Sequence, residues 1–497
     1  MRDGLTVLLV AVPVLALGWV CGAMRAETFA AVMAWATLAC AAGILLLPQR
    51  RMNETFGAAR RRVVGAVMCD PFFWTALSLA AVLAIPLFNV ALCPVCDQAA
   101  IDAGAYPYPP LRGLPFCVNP REHAAALRVI AASLLSALGV RHALIRSGKR
   151  AFLELLVWSG AALALLGFVQ ILGGAPFPYW MDPPPRPPHF FSVFGYSNMG
   201  GAFFAMNHAF ALGLWSLRMQ EREEALDQLA QGQEAKKRHP ILATHYPVVA
   251  VALSFYAVLA TLSRAAISLM AVTTVLFFVY TLIRILTVSG RRRIRRFRML
   301  PAVGAVYLLL CGATVVYAPP EVEREIATLN LFNVADRVSG KGQYHTRVAS
   351  AIMRDFPLFG VGGWGYRHFC LPYMEDGELR QLQTVGGANV HNDYLQFLVE
   401  HGIVGFGLLV SCVALLVLPT IRVWQACARR TIDAARSRLS APPSIAFIFS
   451  PPVLWTLLGC IVVLVHACGD CPLRSGAVLA AFLAALPAVE GHLPHIR

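Results

Sequence analysis

His391-Asn392-Asp393-Tyr394-Leu395-Gln396-Phe397-Leu398-Val399-Glu400-His401-Gly402-Ile403-Val404-Gly405 opens polar, carries an imidazole at its mouth and runs into an apolar helix ending near Pro419. Just before it lies a long segment of mixed polarity in an otherwise apolar chain. A helix that starts among polar residues and then becomes uniformly apolar is one that enters a bilayer. This stretch therefore places His391 at a membrane surface, at the edge of a site assembled from distant parts of the sequence.

Composition agrees. Of 497 residues, 58% are hydrophobic and 14% charged, and the mean hydropathy is +0.61. A soluble chain carries about a quarter charged residues. Repeated apolar runs of roughly 20 residues, enough to cross about 30 Å of hydrocarbon, set the class as an all-α polytopic membrane protein. The net charge of +15 would suggest nucleic acid in a soluble protein; in a membrane protein its distribution matters more than its sum.

The chain divides into about twelve spans, near 5–23, 28–47, 71–92, 124–140, 151–173, 195–217, 245–262, 265–285, 300–318, 394–418, 446–466 and 474–489. The first run follows only Arg2, lacks a small-x-small cleavage site and is soon followed by a second span, so it reads as a retained helix. With the N-terminus inside, the clusters Arg50/Arg51/Arg60/Arg61/Arg62, Arg141/Arg146/Lys149/Arg150, Lys236/Lys237/Arg238, Arg291/Arg292/Arg293/Arg295/Arg296/Arg298 and Arg429/Arg430/Arg436/Arg438 all fall on the inner side. The positive-inside rule favours that orientation over its reverse, and topology alone accounts for the clusters. Four regions follow: 1–193 with five spans and outer loops, 194–318 with spans six to nine, a large outer loop over 319–393, and 394–497 with the last three spans.

The outer side receives the less ordinary connections. Residues 93–123 hold Cys93, Cys96 and Cys117, and residues 174–194 hold the stiff Asp182-Pro183-Pro184-Pro185-Arg186-Pro187-Pro188. The 319–393 loop, about 75 residues, is too long to be structureless. Within it Tyr344 to Phe356 sets Arg347, Ala351 and Arg354 on one face and Val348 with Ile352 on another, the pattern of an amphipathic surface helix. The outer cysteines, which also include Cys370, Cys468 and Cys471, suit a compartment that permits disulfides. The two Cys-x-x-Cys pairs lie hundreds of residues apart without an adjoining His-x-x-His, which argues against zinc.

Ionisable groups within or beside spans need a reason. Tyr196-Ser197-Asn198-Met199-Gly200-Gly201 opens the sixth span; its glycines allow close helix contact, and Asn198 either caps the helix or has a further role. Ser263-Arg264 sits in a tight turn between two apolar runs, where a guanidinium can reach water or grip phosphate through paired hydrogen bonds. Arg347 lies on the surface helix. The run Pro357-Leu358-Phe359-Gly360-Val361-Gly362-Gly363-Trp364-Gly365 lacks the Gly-Lys-Ser/Thr ending of a P-loop, so it reads as a turn bringing the loop back over the membrane. Asn389 or Asn392 can cap the helix that Asp393 begins. Glu400 lies roughly 13 Å deeper than His391 at about 1.5 Å per residue and there requires a partner or a proton. Gly402 and Gly405 permit tight contact. His391 suits a general base.

Taken together, His391-Asn392 followed after nine residues by Gly402-x-x-Gly405 resembles the signature of bacterial O-antigen ligases. Phe194-Gly195-Tyr196-Ser197-Asn198, Leu262-Ser263-Arg264, and Arg347 with Pro357-Leu358-Phe359-Gly360-Val361-Gly362 are similar to further motifs of the superfamily, which includes O-antigen and exopolysaccharide polymerases. The likeness covers roughly 190–420 in detail. It implies a GT-C-like glycosyltransferase of the bacterial inner membrane with its site facing the periplasm. The donor would be a glycan on undecaprenyl pyrophosphate and the acceptor a sugar hydroxyl of lipid A–core, without cofactor or metal. His391, Arg264 and Arg347 would be catalytic; Asn198, Ser263 and Asn392 would bind substrate. A polymerase would use the same donor chemistry on a different acceptor, and the nine-residue spacing favours the ligase. A non-enzymatic polysaccharide transporter fits the span count, but the sequence shows neither internal repeat nor paired broken helices, and its polar residues gather on one side.

Overall fold

The computed structural model describes residues 2–20, 26–91, 111, 113–183, 189–230, 244–286, 304–305, 312, 342–375, 389–437 and 450–493. Its elements are helices: α1 Arg2–Val20, α2 Ala26–Leu45, α3 Phe56–Met68, α4 Pro71–Ala84, α5 Pro120–His142, α6 Arg146–Leu172, α7 Ser197–Ala230, α8 Pro247–Ala260, α9 Arg264–Leu286, α10 Gly342–Asp355, α11 Asp393–Ser437, α12 Pro451–His466 and α13 Gly476–Ala488. Among the described residues no strand forms beyond isolated bridges such as Val90 with Cys117.

A helix stands at each expected span but the ninth, 300–318, almost all of which lies outside the described residues. Among the described residues seven helices are long and apolar enough to cross a membrane; α8, α12 and α13 are apolar but shorter. Two helices outrun their expected ends. The α7 helix continues to Ala230 because its polar half is rich in helix-forming residues joined by neighbouring-turn pairs, Arg218 with Glu221 at 2.9 Å and Gln220 with Glu224 at 3.0 Å. The α11 helix continues through Pro419 to Ser437; proline is tolerated inside membrane helices, where neighbouring groups re-satisfy the freed backbone.

The centre of the bundle is α13, apolar all round and buried at every position. A helix without a polar face has to be surrounded, and α1, α5, α6, α7, α11 and α12 all touch it. Around it the two ends of the bundle differ chemically. At one end basic residues hold helix termini. Arg141 and His142 meet Asp70 at 2.7 and 2.6 Å, Asp70 itself caps α4, Lys149 pairs with Glu490, and Arg146 and Arg150 donate to the Gly491 carbonyl. At the other end a second apolar cluster, including Phe116, Val348, Ile352, Val361, Tyr366, Phe369, Val390 and Val399, caps the bundle. The helix expected to lie on the membrane surface, α10, turns Val348 and Ile352 into this cluster and leaves Arg347 and Arg354 exposed. Its apolar face is thus satisfied by protein.

Cap and bundle are joined where α11 breaks. At Gly402 the backbone has φ 64° and ψ −175°, a region open essentially to glycine alone. The break deprives the flanking residues of their helical partners, and the 357–362 segment supplies new ones. Val361 N donates to Val399 O at 3.1 Å and Gly362 N to Glu400 O at 2.8 Å. In return Ile403 N donates to Pro357 O at 2.9 Å and Val404 N to Leu358 O at 3.1 Å. A Cβ on Gly402 would lie 2.2 Å from Leu358 O, and one on Gly360 would lie 2.3 Å from Val399 O. The glycine run is therefore more than a turn: it is one half of a backbone clasp whose other half is Gly402. Gly402→Ala should lose roughly 1–3 kcal/mol from backbone strain alone, with the clash adding to it, and this is read as a lowered melting temperature of the purified protein in detergent.

Candidate functional site

Three helix starts and one loop converge under the cap. His391 precedes α11 with φ 56°, a left-handed conformation uncommon for a residue with a side chain and enriched at functional sites. Its side chain is 44% exposed, and its Nδ1 lies 3.7 Å from Asp470 Oδ2. Beside it, at 6.0 Å between rings, is His345 of α10, which is buried and bonded through Nδ1 to Tyr366 Oη at 2.8 Å.

Asp470, in the loop between α12 and α13, is the hub. It accepts from Tyr196 Oη at 2.9 and 3.0 Å, from Asn198 Nδ2, and from the Cys471 N–H at 2.6 Å. Burial pushes its carboxyl up, but the nearby His391 imidazole, the Cys471 N–H and the Tyr196 hydroxyl outweigh this and hold it below the usual carboxylate range.

From Asp470 the network reaches the Ser-Arg turn. Asn198 Oδ1 accepts from Ser263 Oγ at 2.6 Å, and Ser263 is fully buried ahead of α9. Close approach of α7 and α9 makes this possible: a Cβ on Gly201 would lie 2.6 Å from Ser263 Cβ. The preceding Leu262 takes φ 57°, turning the chain sharply so that Arg264 begins α9 half-buried. The structure thus brings His391, Asn198 and Ser263 into one polar relay through Asp470, with Arg264 adjoining it. Asn198 spends its side chain on this relay. At the start of α11, Asn392 supplies the expected cap: its Oδ1 accepts from Leu395 N at 3.0 Å while its Nδ2 donates to Cys468 O at 3.1 Å.

Arg347 lies further out. It is exposed on α10 and meets Glu375 at 3.5 Å, two residues along from the buried His345 that packs beside His391. Glu400 has its partner: Arg474 Nη1 at 2.7 Å, with Gln396 Nε2 at 3.2 Å and the Trp364 N–H at 3.0 Å completing its bonds. Of the outer cysteines, Cys117, Cys370, Cys468 and Cys471 are free thiols, and Cys93 and Cys96 lie outside the described residues, as does Arg186. Burial pushes Cys117 up to about 11 and Cys370 up to about 12, so both stay protonated.

Asp470 and Arg474 lie outside every motif read from the sequence, and Tyr196 stood inside one without a role of its own. The signal was present: an Asp and an Arg in a short connection between two apolar helices raise the same question that Arg264 raises in its own turn.

Beneath the polar cluster a cavity of about 910 Å³ runs along α11, from Tyr196, Asp393 and Gln396 past Phe406, Leu409 and Val413 to Ile421. It is polar where Tyr196, Asp393, Gln396, Glu400 and Arg474 line it and largely apolar elsewhere. Fold and site together define a class, a multi-helix membrane protein with a titratable cluster joined through Tyr196 to an apolar cavity. Residues 249–410 match the family model described as O-antigen ligase. No curated protein matches the chain. The matched segment holds Ser263, Arg264, Arg347, the clasp and His391, while Tyr196, Asn198, Asp470 and Arg474 come from outside it.

The depressed Asp470 carboxyl gives a pH test. A group whose folded pKa is lowered contributes stability above its unfolded value, and that contribution is lost as pH falls through the folded value. Wild type should therefore melt above Asp470→Asn near about pH 6, and the gap should close below about pH 4, measured by thermal unfolding in detergent across that range.

Proposed function

We propose that this protein transfers a glycan from undecaprenyl pyrophosphate to a sugar hydroxyl of lipid A–core, at the periplasmic face of the bacterial inner membrane. The observation that carries the reading is the His391–Asp470 pair, joined to the apolar cavity through Tyr196, which lines the cavity and donates to Asp470. Asp470 Oδ2 lies 3.7 Å from Nδ1, close enough for charge attraction, and Nε2 has no hydrogen-bond partner among the described residues. An imidazole held in this way is set to accept a proton at its outward nitrogen.

In the reaction the acceptor oxygen attacks the anomeric carbon and its proton passes to His391. The bond from that carbon to the phosphate oxygen breaks, and polyprenyl diphosphate leaves with the electron pair. In-line attack inverts the anomeric centre. Negative charge grows on the sugar-side phosphate, where Arg264 and Arg347 stabilise it. Asn198 and Ser263 brace Asp470 beside the substrate, Asn392 fixes the start of α11, and the groove takes the polyprenyl tail. The basic end of the bundle faces the cytoplasm under the positive-inside rule, with about twelve spans in all and 319–393 as the periplasmic loop. The four regions 1–193, 194–318, 319–393 and 394–497 then serve as groove wall, Ser-Arg turn, cap and histidine helix.

The test uses purified protein with lipid-linked glycan and lipid A–core, in the presence of chelator, with transfer followed on a gel. Modified core is the expected product. Elongated lipid-linked glycan with unmodified core would identify a polymerase instead. His391→Ala should lower the transfer rate by about 10²–10⁴, and an unchanged rate would remove the base from the mechanism.

A further inference from the structure

The cavity holds polar groups that this mechanism leaves unused. Among its described lining residues Arg474 is the sole Lys or Arg; Arg264, Arg347 and His391 do not line it. The Arg474 side chain is only 10% exposed. It stacks 3.7 Å over the Trp364 ring, gives Nη1 to Glu400, and keeps Nε as a buried donor without a partner among the described residues. His401, 5% exposed, also lines the cavity and rests against Phe397 at 4.4 Å between rings, with no hydrogen bond from its ring among the described residues. Directly after Arg474 the chain turns at Ser475–Gly476 into α13, whose N-terminus lines the same cavity and has no side-chain cap.

A recessed guanidinium, an imidazole and an uncapped helix N-terminus form an anion pocket. Two carboxylates line the cavity as well, and both are tied into its wall. Glu400 is held by Arg474, Gln396 and the Trp364 N–H, and Asp393 Oδ2 accepts from the Leu473 N–H at 2.6 Å.

We propose that Arg474, His401 and the α13 N-terminus bind the lipid-side phosphate of the polyprenyl diphosphate, an inference that rests on the donor reading above. The apolar groove begins beside these groups, so the phosphate bonded to the tail belongs here and the sugar-side phosphate toward His391. Breaking the sugar bond adds charge to the sugar-side phosphate. Arg474 therefore holds ground state and transition state alike, acting as a positioning residue that sets donor KM more than kcat.

The test measures binding of polyprenyl diphosphate, polyprenyl monophosphate, polyprenol and phosphatidylglycerol to the full chain in phosphatidylcholine nanodiscs. Wild type should prefer both polyprenyl phosphates to polyprenol by about tenfold or more. The double variant Arg474→Gln/Glu400→Gln, which strands no buried charge, should lose that preference while keeping polyprenol binding. In transfer assays its donor KM should rise about tenfold with kcat within about threefold. Retained preference, or a fall in kcat at unchanged KM, overturns the inference. Phosphatidylglycerol bound as tightly as the polyprenyl phosphates overturns it in favour of a general anionic-lipid site. Wild type binding none of the polyprenyl compounds overturns the donor reading itself. Should the double variant fail to fold, His401→Leu, which leaves the Arg474–Glu400 pair intact, should show a smaller loss of the same preference, and wild-type discrimination there overturns the inference.

Discussion

The rest of the structure depends on four backbone hydrogen bonds across the break at Gly402. A helix interrupted inside a bundle exposes amide and carbonyl groups that neither lipid nor apolar side chains can satisfy, at a cost of several kcal/mol each. The 357–362 segment meets that demand group for group. Because its partners are main chain, the register is fixed: the cap cannot slide without stranding several groups at once. The clasp thereby sets the height of α10, and with it the place of His345 beside His391.

Much of the bundle was legible from hydropathy, since a run of apolar residues has one use in a chain of this composition. Glu400 was legible in part: depth required a partner, although nothing local identified Arg474. The amphipathic pattern of α10 was also correct, while its partner was not, because periodicity reports an apolar face and says nothing of what covers it. Gly402 and Gly405 suggested close packing; the broken helix was hidden because glycine serves both purposes and only the backbone angles separate them.

The site was legible as a set of pieces. Asn198, Ser263 and His391 could each be singled out as polar groups at helix starts, and they do converge. What joins them is Asp470, about 80 residues beyond the histidine, in a turn too short to announce itself. Sequence reasoning finds groups by local incongruity, whereas a hydrogen-bonded hub is defined by long-range geometry. Arg347 illustrates the reverse case: it is prominent in its motif yet exposed on the cap, and pairs with Glu375.

The late position of Asp470 and Arg474 has a consequence for biogenesis. Both follow α12 in the chain, so the histidine helix is made and can enter the bilayer before its carboxylate partner exists. A chain stopped after α11 would carry His391, the Ser-Arg turn and the clasp, but neither the Asp470 carboxylate beside the imidazole nor the Arg474 guanidinium that pairs with Glu400. The polar cluster is therefore completed only by the final hairpin, so the insertion of the last two helices is the step that closes the network around His391 and Glu400.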